Sequence, residues 1–271
     1  MLKYLATFKM VYETRSFSQA ARLLFITQPT VSAQIKQLEL EFACPLFIRN
    51  GRGELGVTPA AEQLYDEAAR MLDGWDELHR KLGAGTAARL ALRVASSHTF
   101  AATILPDLLP DLVAKFPQLD VQVSVVNSQA VVADLLNHHA DVGFIEKPLV
   151  AAKLHRHVLG DDQLVLVENA GPWLVREPDS GVNYFTKRYF AEHNIAEPQI
   201  EIANNALIVD LLRRAYGRAI VSSRLAQHLQ QQSLGPNYQR QFYQLLPENV
   251  EQPALQAAGT HLRTAAQQLL R

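Results

Sequence analysis

The chain has 271 residues, 48% of them hydrophobic, so it can form two domains with full cores. A single cysteine, Cys44, excludes an intrachain disulfide. The sequence shows neither a secretory leader pattern nor an apolar run of about 18 residues, so we expect a soluble, cytoplasmic protein with no membrane span. The net charge is −1, but seven basic and four acidic residues give the segment 1–58 a charge of +3 and leave −4 for the rest, as in a nucleic-acid-binding module joined to an acidic body.

The first 42 residues predict three helices. Apolar residues at helical spacing place the first helix over 2–14 and a second, short helix over 19–24. Pro29 suits the first turn of a third helix that runs to about Phe42, because a proline there lacks only an N–H that would be unpaired. A short helix followed by a tight turn and a longer helix is typical of a helix-turn-helix, whose second helix lies in the major groove of DNA.

A small hairpin is predicted after these helices. Strands at 46–48 and 55–57 flank a tip rich in turn-forming residues that also carries Arg49 and Arg52. A hairpin with a basic tip in this place is a wing. Residues 1–58 are therefore predicted to be an all-α winged helix-turn-helix DNA-binding domain.

A long helix is predicted from Pro59 to about Leu82. Its apolar residues recur at alternating steps of four and three, the heptad spacing of a coiled coil. We expect a dimer through this helix rather than packing on its own chain, because no neighbouring helix in the sequence is available to pair with it. The segment 59–86 is thus predicted to be a dimerisation linker helix with a hinge at its end. The seam positions are Leu64, Ala68, Met71, Trp75, Leu78 and Leu82.

From Ala87 onward the pattern changes to strands that alternate with helices. This alternation predicts an α/β domain with a mostly parallel sheet over residues 87–271. Strands are expected at 90–95, 121–126, 142–145, 164–167, 173–175, 200–202 and 219–221, and helices at 101–116, 131–137, 183–193, 206–215 and 261–270.

The run FSQAARLLFITQPTVSAQIKQLE from Phe17 to Glu39, followed by PLFIR at 45–49 and VTPA at 57–60, resembles the LysR-type transcriptional regulators. The resemblance continues through DVGFIE at 141–146 and beyond, so it covers nearly the whole chain. It implies a homodimer or homotetramer built through the linker helix. It also implies a C-terminal domain of two lobes, similar to periplasmic binding proteins. A ligand bound in the cleft between the lobes would control the affinity of the protein for its double-stranded promoter.

The resemblance assigns DNA contacts to the third helix, from its first turn onward, and to the wing. One departure matters: Ala33 stands where the family usually has a long basic residue, which leaves the half-site preference open. The alternative is that these polar residues are helix surface without a DNA contact. The expected contacts are Gln28, Pro29, Thr30, Ser32, Gln34, Lys36 and Arg52.

Polar residues at three strand-to-helix junctions predict a ligand cleft, because helix N-termini attract anions and open α/β sheets bind ligands beyond their strand ends. The alternative is that these residues are ordinary helix caps. Glu146 is expected to face the cleft, where it would repel an anion unless it were paired, with Arg176 or Lys147 as candidates. The remaining candidates are Ser96, Ser97, His98 and Thr99, then Asn127, Ser128 and Gln129, then Asn204 and Asn205.

The runs that begin at Ser97 and Asn127 are similar to those of sulfate- and sulfite-responsive members of the family, which favours an inorganic oxyanion as effector. Phe100 replaces a polar residue of the sulfate binders, so an organic metabolite stays an alternative. A ligand-independent DNA-binding protein is the alternative from another class. The chain contains no catalytic motif, so we expect no enzyme activity and no cofactor. We expect no metal either, because His138 and His139 diverge on a helix and His155 and His157 lack partners at ligand spacing.

Overall fold

The structure, a computed structural model, describes residues 1–49, 55–83, 89–196, 199–250 and 252–271. The chain folds into two compact units, Met1–Ala88 and Arg89–Arg271. Within the described ranges no helix is both long and apolar enough to cross a lipid bilayer.

The first unit begins with three helices. Helix α1 covers Leu2–Thr14, α2 covers Phe17–Leu23 and α3 covers Gln28–Glu41, close to the predicted bounds. Ser16 and Thr27 start α2 and α3, because each side-chain oxygen accepts a hydrogen bond from the backbone amide three residues later. The apolar faces of the three helices meet in one core. This core includes Leu5, Phe8, Ala20, Val31, Ile35 and Leu38.

Two short strands follow α3 and form the predicted hairpin. Strand β1 (Phe47–Arg49) pairs antiparallel with β2 (Leu55–Val57). The backbone amide of Leu46 donates a 2.8 Å hydrogen bond to Oε1 of Glu39, which ties the hairpin to α3. The tip of the hairpin, with the predicted DNA contact Arg52, falls outside the described residues.

Helix α4 covers Pro59–Gly83, and the predicted seam divides into two parts along it. Leu64 and Ala68 pack into the core of the first unit, so this part of the seam packs on its own chain. The other four positions keep the steps of four and three on one face but are exposed to solvent. They are Met71, Trp75, Leu78 and Leu82.

The second unit is built on one sheet. Its strands are β3 (Leu90–Ser96), β4 (Leu119–Val125), β5 (Val142–Ile145), β6 (Leu154–Glu168), β7 (Trp173–Val175), β8 (Gln199–Glu201), β9 (Arg218–Ser222), β10 (Gln232–Ser233) and β11 (Gln239–Pro247). The strand order is β4-β3-β5-β11-β6-β9-β7-β8, and β10 pairs with β6.

The sheet is parallel at both ends and antiparallel in the centre. Strand β3 runs parallel to β4 and β5, and β7 runs parallel to β8 and β9. Between these groups β11 pairs antiparallel with both β5 and β6, and β6 with β9. The prediction of a mostly parallel sheet was wrong for the centre. Polar residues interrupt the apolar pattern of β11 and of the first half of β6, so neither segment was predicted to be a strand.

Six helices cover the two ends of this sheet, which we call lobe one (around β3–β5) and lobe two (around β7–β9). The single helix predicted over 101–116 is two helices, because Ile104 has a φ of −121° outside the helical region and Pro106 fits the first turn of a new helix. The helices are α5 (His98–Thr103), α6 (Leu105–Lys115), α7 (Ser128–Leu136), α8 (Gly181–His193), α9 (Asn205–Arg213) and α10 (Pro253–Leu269).

Three phenylalanines pack together in the core of the second unit, beneath the polar residues of lobe one. The rings of Phe100 and Phe144 stack with centroids 4.3 Å apart, and Phe242 meets Phe100 edge-on at 5.4 Å. All three are fully buried. Phe100 therefore belongs to the core of the second unit.

Candidate functional site

The start of α3 presents an exposed polar face. Gln28 donates a 2.8 Å hydrogen bond from Nε2 to Oγ of Ser32, one helical turn later. The hydroxyls of Thr27 and Thr30 lie 2.8 Å apart, and Lys36 is exposed on the next turn. An exposed helix face with amide, hydroxyl and ammonium groups can hydrogen-bond to base edges and phosphates in a major groove.

Gln34 does not belong to this face. Its side chain is buried between α3 and α1, and its Oε1 accepts a 2.5 Å hydrogen bond from the hydroxyl of Thr7. The prediction of Gln34 as a DNA contact is therefore corrected, because its position points inward beside Ile35. Pro29 is exposed and stays on the candidate face.

The second unit contains a small polar cleft between its lobes. Its free volume is about 10 Å³, enough for about one water molecule. Lobe one contributes the starts of α5 and α7 and the end of β5, and lobe two contributes the turn from β7 into α8. The lining residues are Ser97, His98, Thr99, Asn127, Ser128, Glu146, Arg176, Glu177, Ser180, Gly181, Val182 and Arg240.

Glu146 directs a buried carboxylate into the cleft. Its Oε1 accepts a 3.1 Å hydrogen bond from the backbone amide of Thr99, and its Oε2 accepts one of 3.4 Å from the hydroxyl of Ser128. Arg240 lies 3.9 Å away and is its cationic neighbour. The expectation that Arg176 or Lys147 pairs with Glu146 is corrected, since the neighbouring cation comes from β11.

Arg240 is also held by the neighbouring strand β6. Its Nε lies 2.8 Å from Oδ2 of Asp162, and both side chains are almost completely buried. The other oxygen of Asp162 accepts a 2.5 Å hydrogen bond from Ser222. Gly181 allows this packing, because a Cβ there would lie 3.1 Å from Nη1 of Arg240.

Arg176 is a second buried cation in the cleft. Glu177 binds it with both carboxylate oxygens at 2.7 Å, and Asn205 accepts a hydrogen bond from its Nη1. Asn205 in turn donates a 3.3 Å hydrogen bond to Oγ1 of Thr99, so it links α9 to α5. Burial, followed by the charge of Arg176, lowers the pKa of His98.

The hydroxyl of Ser97 is a buried group of this cleft whose hydrogen bonding is incomplete. Ser97 is 1% exposed, and its Oγ is buried without a hydrogen-bond partner among the described residues. A buried polar atom without a partner is costly, so an arrangement of this kind points to a ligand or a bound water.

Some predicted cleft residues lie elsewhere. Ser96 is buried with its hydroxyl directed to the carbonyl of Ser97. Gln129 is exposed on α7, and Asn204 uses its oxygen to accept the Leu207 amide at the start of α9. The prediction that these three residues line the cleft is corrected, because they lie at the expected junctions but are not among the residues that line the cavity.

Three charged residues in or beside the cleft are not among the predicted site residues: Glu177 and Arg240, which line it, and Asp162, which binds Arg240. The signal for Arg240 was present, because it precedes Phe242 by two residues and so shares the inward face of a strand. Asp162 stands opposite Arg240 in the register of β6 with β11. Sequence periodicity could have indicated each strand, but not their pairing.

A larger groove of about 450 Å³ lies in the same unit, and it is separate from the cleft. Residues from the end of α5, from α9 and from the segment after β9 line it, with Asp107, Arg213 and Arg224 among them. Its volume is in the range of sites for organic metabolites. No three potential metal ligands converge anywhere in the described ranges.

Comparison with protein families gives two matches along the chain. Residues 2–62 match the family described as "Bacterial regulatory helix-turn-helix protein, lysR family". Residues 86–267 match the family described as "LysR substrate binding domain".

Individual relatives are similar over most of their length. The Escherichia coli K12 protein named "Uncharacterized HTH-type transcriptional regulator YeiE" is 28% identical over 244 residues, which cover 83% of this chain and 81% of that protein. The regulator CysL of Bacillus subtilis is 26% identical over 237 residues, covering 80% and 79%.

Solved structures share the fold. A full-length variant of OxyR from Pseudomonas aeruginosa superposes with a TM-score of 0.63 at 17% identity, covering 98% of this chain and 94% of that one. Full-length CbnR in complex with its target DNA has a TM-score of 0.58 at 17% identity, covering 98% and 99%.

Proposed function

The chain belongs to the LysR family of bacterial transcriptional regulators, and we propose that its first unit reads promoter DNA through the face of α3 while its second unit holds a small oxyanion in the cleft around Ser97. It is a DNA-binding regulator with an effector-binding domain, and its relatives are regulators rather than enzymes. Members of the family bind promoter DNA and form oligomers.

The proposed DNA contacts are the exposed residues at the start of α3. Gln28 and Ser32 form a hydrogen-bonded pair that can offer both donors and acceptors to a base pair, and Lys36 can reach phosphate. Pro29 and Thr30 complete the face, and Arg52 remains the proposed contact of the wing. Promoter DNA as the target supports a cytoplasmic location.

The proposed effector is an inorganic oxyanion, as in the sulfur-responsive branch that the runs from Ser97 and Asn127 resemble. The observation that carries this proposal is the unpartnered, buried hydroxyl of Ser97, which lines the cavity together with Thr99 and Ser128. Because the free volume is that of about one water, the anion must separate the lobes to enter. Such a separation would couple binding to the shape of the second unit.

An organic metabolite is the second candidate effector. The groove of about 450 Å³ favours it, since this volume exceeds what an inorganic anion requires. Arg224 lines the groove and brings a cationic guanidinium to it. A carboxylate on such a metabolite could bind there.

The proposed assembly is a homodimer, or a homotetramer built from dimers, through α4. Trp75, Leu78 and Leu82 lie at heptad spacing on one face and are exposed in the single chain. A second copy of α4 would cover them.

Two variants test the oxyanion proposal. Ser97→Ala removes no hydrogen bond of the unliganded protein, so its thermal unfolding should match that of the parent, but its affinity for the anion should fall by about 1.5–3 kcal/mol, the usual contribution of a hydrogen bond to a charged group. Ser96→Ala is the matched control outside the cavity.

The measurement is calorimetric titration with sulfite, sulfate, thiosulfate, phosphate and nitrate, together with binding to DNA selected from a random pool. An anion that binds the parent, binds Ser97→Ala weakly and changes DNA affinity supports the proposal. Equal binding by Ser97→Ala and the parent would refute the cleft assignment. Absence of any anion binding would refute the oxyanion and favour the metabolite.

A further inference from the structure

We propose that Glu146 makes the cleft selective for oxyanions that still carry a proton, such as hydrogen sulfite or hydrogen phosphate, and makes it reject fully ionised sulfate. This selectivity rests on the oxyanion function proposed above. It concerns a residue that at first sight argues against any anion, because a buried carboxylate repels negative charge.

Every polar contact of Glu146 within the described residues comes from a donor. The backbone amide of Thr99 donates to Oε1, the hydroxyl of Ser128 donates to Oε2, and Arg240 lies at 3.9 Å. With donors on all these sides Glu146 acts as an acceptor-only carboxylate. A ligand atom that meets it must therefore bring a proton of its own.

Among the described residues that line the cleft, both arginines already have carboxylate partners, so no positive charge is left for a divalent anion. Arg240 is bound to Asp162 at 2.8 Å, and Arg176 is bound to Glu177 by two hydrogen bonds. His98 adds no charge near neutral pH, because burial and Arg176 lower its pKa. Two arginines are thus matched with three carboxylates, one of which is Glu146. No positive charge would therefore balance the repulsion between Glu146 and an unprotonated ligand oxygen beside it.

A proton on the ligand turns the repulsion between Glu146 and the ligand oxygen into an attraction. The ligand hydroxyl donates to Glu146 and forms a short, charge-assisted hydrogen bond where an ionised oxygen would be repelled. The remaining ligand oxygens are acceptors, and the Ser97 hydroxyl is a donor with no other partner among the described residues. Sulfite and phosphate keep a proton near neutral pH, whereas sulfate and thiosulfate are fully ionised. Buried groups that require a ligand proton discriminate strongly against an analogue without one.

The test is calorimetric titration of the full chain under argon with sulfite, phosphate, sulfate and thiosulfate at about pH 6 and about pH 8. The parent should bind sulfite at least about a hundredfold more tightly than sulfate, because Glu146 would repel a fully ionised sulfate oxygen beside it. Its sulfite affinity should rise about tenfold from the higher to the lower pH, since the protonated anion becomes the dominant species.

Two variants assign this selectivity to Glu146. Glu146→Gln should bind sulfate, bring the sulfite-to-sulfate ratio within about tenfold and lose the rise of sulfite affinity at low pH, because its amide can donate to an ionised oxygen. Glu146→Asp keeps the charge and should still reject sulfate. Thermal unfolding of both variants shows that they are folded before they are titrated.

The outcomes separate this inference from the function on which it rests. If the parent binds sulfate within about tenfold of sulfite, or if folded Glu146→Gln keeps the parent's ratio, an oxyanion site stands and the selectivity is refuted. If neither the parent nor the variants bind any of the four anions, the oxyanion function itself fails and this inference fails with it. The ratio in the parent decides the question even if Glu146→Gln does not fold.

Discussion

Nη2 of Arg240 donates a 3.0 Å hydrogen bond to Oγ1 of Thr99, and through this contact the central strand β11 holds the start of α5. The same guanidinium binds Asp162 and lies near Glu146. One side chain from the middle of the sheet therefore joins residues of lobe one to Asp162 of β6, which Ser222 of lobe two also contacts. A change in the cleft can reach the sheet through it.

Removal of this cation should destabilise the second unit. Arg240→Met leaves the carboxylates of Asp162 and Glu146 buried without their shared partner, and we expect a loss of about 3–5 kcal/mol in the free energy of unfolding, the usual cost of breaking a buried ion pair. Urea unfolding measures it.

A neighbouring substitution serves as the control for Arg240→Met. Asp161 is exposed and its side chain contacts Gln241, so Asp161→Asn should change the unfolding free energy by less than about 0.5 kcal/mol. Similar losses in the two variants would show that Arg240 has no special part in stability.

Two glutamines six residues apart on α3 should have opposite roles. Gln34→Ala removes the buried partner of the Thr7 hydroxyl and should lower stability by about 1–3 kcal/mol, with DNA affinity per folded molecule unchanged. Gln28→Ala should leave stability near that of the parent and weaken specific DNA binding by about 1–3 kcal/mol.

Thermal unfolding and fluorescence anisotropy at one fixed salt concentration separate these two effects. Gln37→Ala, exposed on the same helix, is the stability control. A loss of sequence-specific binding by folded Gln34→Ala would return Gln34 to the DNA face, and normal binding by Gln28→Ala would remove Gln28 from it.

The sequence predicts local structure well and pairings between distant segments poorly. The bounds of α1, α3 and α4 follow from apolar spacing and from caps such as Thr27, all of which lie within a few residues of each other. The same holds for Ser97, Thr99 and Ser128, because a strand-to-helix junction is a local pattern and three such junctions were visible.

Arg240 is a cleft residue that local sequence patterns could not predict. It reaches the cleft because β11 pairs antiparallel with β6 and places it opposite Asp162, 78 residues away. No local pattern encodes that register. Gln34 shows the complementary error, since a polar residue on an amphipathic helix was assigned to the outer face although it satisfies a buried hydroxyl.

The exposed part of the α4 seam should control assembly. Leu78→Glu places a charge at the centre of the stripe and should convert the protein to monomers, because a buried heptad position does not tolerate an unpaired carboxylate. DNA affinity should fall at least about a hundredfold, since one subunit can no longer hold the second at its half-site.

Sedimentation velocity measures the assembly state, and anisotropy measures the DNA affinity. Leu78→Met is the matched control, because it keeps an apolar side chain at the same position and should stay assembled. A Leu78→Glu protein that sediments like the parent would show that α4 does not form the interface.

His98 should make the free energy of unfolding depend on pH. Its pKa is lowered in the folded protein, first by burial and then by Arg176, so the unfolded chain binds more protons than the folded one as the pH falls below about 6.5. Stability is therefore complete above that pH and declines below it. The cause is that burial, and after it the charge of Arg176, disfavours a protonated imidazole in the folded protein.

His98→Gln should flatten this decline, and urea unfolding at a series of pH values measures the slope directly. Part of the slope should remain in the variant, because burial and Arg263 also lower the pKa of His157 in the same unit. The double variant His98→Gln/His157→Gln should remove both contributions. An unchanged slope in the single variant would mean that His98 titrates alike in the folded and unfolded chain, and that Arg176 does not act on it.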